Sequence, residues 1–330
     1  PTPAPTLEPS STPETPLAAT ESLPNTPPSK NSWPIYTLAT DLPESPAEVR
    51  LYMQAYPAGL PSETRLAEIM AQLQITGPVS TATTEGGDQE LTVTGETGTF
   101  YLLSDDPLHL RISSLTSVPG NSEIVLPVET RIQKAEAFLQ ERGLLDFPYL
   151  IEPPLLSRDR NRAVRVVPLV DGYQVYDYDA LNGRLLVWFN AEGEISVVFW
   201  RPLKLIPSDP ILIVPVETAW AQLVEGKRLN IDALGQCWLA TVFDPAELNG
   251  VAGTFEPQSC YSTTTSPGFD AATITDVKLV YLAGDLSMGM SPFAFPADSP
   301  ARLVYPMWQF TGTTSDHRDV VILWPAMVEP

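Results

Sequence analysis

Two histidines, two cysteines and 40 carboxylates are the chain's stock of metal-binding and catalytic groups. Nucleophilic catalysis asks for a hydroxyl or thiol beside a base, with a further group orienting that base. His317 has carboxylates on either side in Ser315-Asp316-His317-Arg318-Asp319, but the sequence names no nucleophile for it, and the charged stretch reads as the polar tip of a hairpin. His109, which follows Asp105-Asp106-Pro107, reads as an exposed strand residue. Neither a Gly-x-Ser-x-Gly elbow nor a His-Glu-x-x-His pair nor a glycine-rich phosphate loop occurs. Asp177 and Asp179, with Asp171 upstream, could offer oxygen ligands to calcium, yet their spacing matches no EF-hand loop and alternate acids on a strand describe a solvated face. No catalytic residue, metal or cofactor is therefore expected. The alternative from the enzyme class is an extracellular glycan hydrolase using two carboxylates, since 40 acids always supply candidate pairs.

Aromatic residues offer a different chemistry. Tyr173, Tyr176, Tyr178, Trp188 and Trp200 crowd into one stretch, together with Phe189 and Phe199. Strand alternation puts Tyr176 and Tyr178 on one face and sends Trp188 and Phe189 to opposite faces. At least one large ring then points away from any helix layer. Either a neighbouring layer covers it, or it forms an exposed groove for a peptide or glycan, where Tyr and Trp dominate binding energy. These five residues are the candidate binding surface.

Composition narrows the partners. The formal net charge is −21, from 19 basic and 40 acidic residues, which argues against nucleic acid and anionic membrane because both reward clustered Lys and Arg. No run approaches the ~20 apolar residues of a membrane span. Proline, 35 of 330 residues, is about twice its usual share of roughly 5%, and it concentrates at the start. Residues 1–34 are rich in Pro and Thr and poor in large apolar groups. Such a segment buries too little surface to offset its ordering entropy, so an extended, disordered stalk is expected there. The stalk, the start at Pro1 rather than Met and the two cysteines together suggest an exported protein, secreted or lipid-anchored. Cys237 and Cys260 flank a loop of Gly, Pro, Asn and Ser, and in an oxidising compartment a disulfide between them is expected. A zinc site is not, because no second Cys or His pair lies near.

The body that would position these groups reads as helices followed by runs of strands. Residues 61–75, PSETRLAEIMAQLQI, give a helix that Ser62 can cap, with Leu66, Ile69, Met70 and Leu73 on one face. Alternating runs at Leu91–Gly95, Thr99–Ser104 and His109–Ser113 follow as antiparallel strands. A second helix, Glu129–Arg142, ends at Gly143. Behind it come Ala163–Val170, Tyr173–Tyr178, Arg184–Asn190 and Ile195–Pro202, joined by Asp171-Gly172, Asn182-Gly183 and Glu192-Gly193, as a four-strand meander. A third helix at Val216–Lys227 follows a proline-rich turn. Strands then fall at Ile274–Gly284, Ala301–Gly312 and Asp319–Val328, the last two forming a hairpin. The expected fold class is α+β: the arm (1–34), then two or three helix-on-antiparallel-sheet units at 35–125, 126–210 and 211–330.

The second and third units carry a resemblance. A helix with Ala135 and Phe138 precedes a strand ending Asp171-Gly172-Tyr-Gln-Val-Tyr. Glu192-Gly193-Glu-Ile195 and an aromatic strand follow, then a helix opening Val216-Glu-Thr-Ala-Trp220. The chain closes on Leu279-Val-Tyr281 and Leu303-Val-Tyr-Pro-Met-Trp308-Gln-Phe310. Over about Glu129–Val328 this resembles the YycH/YycI group of extracytoplasmic regulatory proteins and, more loosely, the PepSY-type repeat. The resemblance implies a non-enzymatic protein of the cell envelope that binds and modulates a protein partner. A structural subunit of a surface assembly is the third reading.

Overall fold

The computed structural model describes residues 34–55, 60–83, 87, 89–103, 110–113, 126–153, 162–177, 185–200, 204–225, 239–243, 269–283 and 303–327. The arm, Cys237, Cys260, His109, Tyr178 and Asp179 lie outside the described residues, as does the Asn182-Gly183 turn. In chain order the elements begin with β1 (Ile35–Leu38), β2 (Glu48–Gln54), α1 (Glu63–Leu73), β3 (Val79–Thr83), β4 (Gln89–Gly95), β5 (Gly98–Leu103) and β6 (Leu110–Ser113). Next are α2 (Val128–Glu141), β7 (Tyr149–Glu152), β8 (Ala163–Val170), β9 (Tyr173–Asp177), β10 (Leu185–Phe189), β11 (Ile195–Trp200) and β12 (Leu205–Leu212). The last are α3 (Val216–Glu225), β13 (Leu239–Phe243), β14 (Ala271–Ala283), β15 (Leu303–Thr314) and β16 (Asp319–Pro325).

The three helices among the described residues form where their apolar periodicity puts them. Ser62 caps α1, its hydroxyl accepting from the Arg65 amide at 3.3 Å. The helix stops at Gln74, which turns left-handed at φ 58°, before the Gly77-Pro78 breaker is reached. Gly143, also left-handed, closes α2 with the paired bonds Gly143 N to Gln140 O and Leu144 N to Leu139 O. For α3 the cap comes from afar: the Val216 amide donates to the Ser45 hydroxyl at 2.8 Å.

The helices do not divide the chain into units, however. The described strands join into one mixed sheet of 16 strands, whose main path runs β12-β2-β15-β14-β9-β8-β10-β11-β6-β5-β4-β3. The remaining four flank it, β1 on β14, β16 on β15, β13 on β16 and β7 on β8. The chain is mostly β, which overturns the expected α+β class of helix-on-antiparallel-sheet units. Pairing crosses all the expected divisions: β2 joins β12 and β15, while β9 joins β14. Two of the pairings, β1 with β14 and β9 with β14, are parallel. The expected meander changes as well. β9 leaves its hairpin partner after two residue pairs to join β14, and β10 pairs instead with the first residues of β8, Ala163 to Arg165.

The hairpin from β8 into β9 is the seam of the molecule. Asp171 and Gly172 both have positive φ, 51° and 84°, the two-residue geometry that an Asp-Gly turn favours. On one side of the seam, β3–β8, β10 and β11 carry α1 and α2 on one face, over a core that includes Leu73, Leu139, Phe100, Val187 and Trp200. On the other side β14, β15 and β16 are buried on both faces. One face packs α3 through Trp308, Phe310 and Trp324, and the other holds Val280, Leu282, Met307 and Leu323 against Val167 and Tyr176. The two cores therefore share one sheet, and the second of its faces is where the halves meet.

Candidate functional site

The aromatic stretch is dispersed by this path. Trp200 is buried under the helices, its ring centroid 6.1 Å from that of Phe147. Tyr176 is buried at the seam. Tyr173 packs edge-on to Tyr281 at 6.1 Å, in the cluster that also holds Tyr52. Trp188 stands on the sheet face away from the helices, edge-on to Phe199 at 5.5 Å and partly exposed. The four described candidates therefore occupy separate neighbourhoods.

Register brings other residues together on that helix-free face. Cross-strand partners share a face, and following them strand by strand gives one row: Ser80, Thr92, Tyr101, Arg111, Phe199, Leu186, Arg165, Glu152. Exposure falls from Arg111 to Arg165. Arg111 is open to solvent, Tyr101 and Phe199 are half-buried, and Leu186 and Arg165 are buried. The Arg111 guanidinium lies 5.4 Å from the Phe199 ring centre, a cation–π arrangement, and Trp188 flanks Phe199. The Trp188 indole N–H meets no acceptor among the described residues. Tyr, Arg, Phe and Trp set side by side on a sheet face that α1 and α2 do not cover are the residue types that anchor protein interfaces.

Under the seam the same row becomes a buried polar cluster. Arg165, 0% exposed, forms an ion pair with Glu152 and lies 4.9 Å over the Tyr176 ring. The Tyr176 hydroxyl donates to Gln174 Oε1 at 2.7 Å, and Lys278 Nζ donates to the same oxygen. Burial pushes the Tyr176 phenol up to about 12, with Arg165 pulling the other way. Burial also lowers Lys278 from the ordinary lysine value, against the upward pull of Glu152 and Asp276. Every one of these groups has a partner inside the cluster, so the arrangement works as a pin between β7, β8, β9 and β14. Arg111, on the helix-free face, and Arg165 and Lys278, in the seam, are residues that the sequence reading does not single out. The signal for two of them is a charge inside an apolar strand, in AVRVV and DVKLV.

The remaining candidates take bland positions. Asp171 accepts a 2.6 Å hydrogen bond from the Tyr52 hydroxyl, which ties β2 to the seam hairpin. Tyr52 is pushed up to about 12, first by burial and then by this bond. His317 is exposed and left-handed at φ 66°, in the tip between β15 and β16, where Arg318 binds Asp316 at 2.7 Å. The backbone of Asp177 pairs with Ala283. Among the described residues no group of three or more His, Cys, Asp or Glu could hold a metal ion, and no helix is long and apolar enough to cross a membrane.

Several buried tyrosines make alkaline stability a test of this packing. Tyr36 and Tyr281 are raised further than Tyr52 and Tyr176, chiefly by burial. An unfolded tyrosine loses its proton near pH ~10. Below that pH both states hold the proton and the stability is intact. Above it the unfolded chain gives up protons that the native chain retains, so stability falls as pH rises toward the native pKa values. Lys278, with its lowered pKa, adds a slope of opposite sign, but it is one group against several. Denaturant midpoints should hold steady to about pH 9.5 and drop above about pH 10. Tyrosinate absorbance from the buried rings should appear together with loss of the far-ultraviolet β signal. Full tyrosine titration near pH 10 with that signal intact would contradict the packing.

No protein-family model matches the chain, and no curated protein is significantly similar to it. Among the described residues, the fold and surface define a β-rich chain whose mixed sheet carries an aromatic–cationic row on a face that α1 and α2 do not cover.

Proposed function

We propose that the chain is a non-catalytic protein of the cell envelope, secreted or lipid-anchored, that binds and regulates a protein partner, as its resemblance to the YycH/YycI group implies. The observation that supports this reading is the Tyr101–Arg111–Phe199 row with Trp188 at its side, presented on a sheet face that neither α1 nor α2 covers. Among the described residues the most strongly displaced groups, Tyr36, Tyr52, Tyr176 and Tyr281, lie in the seam or the cores, apart from the Tyr101–Arg111–Phe199 row. That separation favours recognition over turnover.

The experiment places a photoreactive phenylalanine analogue at Tyr101 in the full chain, expressed in the cells that produce it, and identifies the captured protein by mass spectrometry. One partner should be captured reproducibly, and Arg111→Glu should abolish capture while leaving the melting temperature unchanged, because Arg111 is exposed. Capture that Arg111→Glu leaves intact, or self-links alone, would defeat the reading.

A further inference from the structure

β3 ends the sheet. It pairs with β4 on one side and with no other strand among the described residues, and all five of its residues are exposed. The phase of the ladder tells which backbone groups are open. The Thr94 amide donates to Pro78 O at 3.3 Å, so Pro78, Ser80 and Ala82 direct their backbone groups toward β4. Val79, Thr81 and Thr83 then direct theirs to the free side.

Sheet edges are normally guarded by proline, charge or a bulge. The far end of the same sheet is guarded in this way: β12 carries Pro207 and Pro210, with a break in register between them. β3 reads Val-Ser-Thr-Ala-Thr, with no charge and no proline, and Val79 is 47% exposed. An edge of this kind is a template for an added strand.

We propose that the β3 edge receives an extended, positively charged segment of a partner protein as an added strand. The inference rests on the reading of the chain as a protein-binding molecule and names the chemistry of the partner. Charge selects the occupant. The chain carries −21, and Glu90 of β4 lies opposite Ala82 of β3. A second copy would bring the same acidic margin against itself, whereas Lys or Arg on an incoming strand would be drawn to it. The incoming side chains next to Ser80 and Ala82 would also lengthen the row of Thr92, Tyr101 and Arg111 by one strand.

The probe is a short fluorescent peptide of alternating Val and Lys, with two controls: the same peptide N-methylated at alternate residues, and one of alternating Val and Glu. Thr81→Pro is the informative variant. It removes an outward amide and spares the ladder to β4, so it should keep the wild-type circular dichroism and melting temperature. The Val–Lys peptide should bind the full chain, and Thr81→Pro should weaken it about tenfold, the loss of roughly one net hydrogen bond plus the proline ring's obstruction. Both control peptides should fail to bind. Equal binding by Thr81→Pro or by the N-methylated peptide would overturn strand addition, and equal binding by the Val–Glu peptide would overturn the cationic partner. Dimerisation of the free chain that Thr81→Pro abolishes would assign the edge to a second copy instead. The two readings fail separately: partner capture at Tyr101 that persists in Thr81→Pro while the Val–Lys peptide does not bind removes the edge inference and leaves the protein-binding reading standing.

Discussion

Arg165→Ala should lower the stability of the chain by about 3 kcal/mol, near the lower end of the ~3–5 kcal/mol typical when one partner of a buried ion pair is removed. The guanidinium side chain is 1% exposed, while Glu152 is 28% exposed, so water offsets part of the charge left behind on the glutamate. Three effects add. Glu152 loses its cation, Tyr176 loses the positive group stacked on its ring, and the space beneath β14 is left empty. Because the cluster spans β7, β8, β9 and β14, the loss should appear as a lower denaturant midpoint with an unchanged slope, meaning weaker cohesion of the whole sheet. The paired replacement Arg165→Met with Glu152→Leu separates charge from volume. It should recover most of the loss, since a buried ion pair contributes little net stability beyond an apolar pair of similar size. A stability loss below about 1 kcal/mol for Arg165→Ala would mean that Arg165 does not hold the seam.

Elements set by local chemistry are legible in the residues themselves. Helical spacing locates all three helices, and Asp171-Gly172 locates the seam turn because few residues other than glycine and Asn or Asp accept positive φ. The hairpin closing at Arg318 is legible for the same kind of reason. Long-range pairing is what local chemistry hides. Nothing in Ile35–Leu38 announces a parallel partner at Ala271–Ile274. β12 reads as a turn because its two prolines are tolerated only where a strand pairs on one side, which its sequence does not reveal.

Two-sided burial hides the core in another way. In β15, Leu303 to Thr314, nearly every position is buried, so the alternation that separates an inner from an outer face disappears. The candidate surface is hidden more deeply still. Tyr101, Arg111 and Phe199 come from three strands, and register alone places them side by side. The sequence shows an aromatic concentration, while the fold buries Tyr176, Phe189 and Trp200 of it and sets Trp188 and Phe199 beside Tyr101 and Arg111 from outside it.

Trp308 is where this two-sided packing can be measured, and Trp308→Ala should cost about 4–5 kcal/mol. The indole is 1% exposed in the core beneath α3, in register beside Trp324. Its Nε1 donates to Val214 O at 2.8 Å, two residues before α3 begins, and Trp324 Nε1 donates to Gln222 Oε1 within that helix at 3.3 Å. The two tryptophans thus hold α3 at its entry and along its length, in place of the local side-chain cap that its own sequence lacks. Trp308→Phe keeps most of the volume and deletes the bond to Val214, so it should cost about 1–2 kcal/mol. The order of loss is the decisive readout. Amide hydrogen exchange in Trp308→Phe should accelerate first in α3, because the helix entry depends on that bond and on the distant Ser45 hydroxyl. The β14–β15 ladder should keep its protection, since its backbone pairing runs the length of both strands. Uniform acceleration across helix and ladder would mean that α3 and the sheet open as one unit, and that Trp308 supports the core through volume alone.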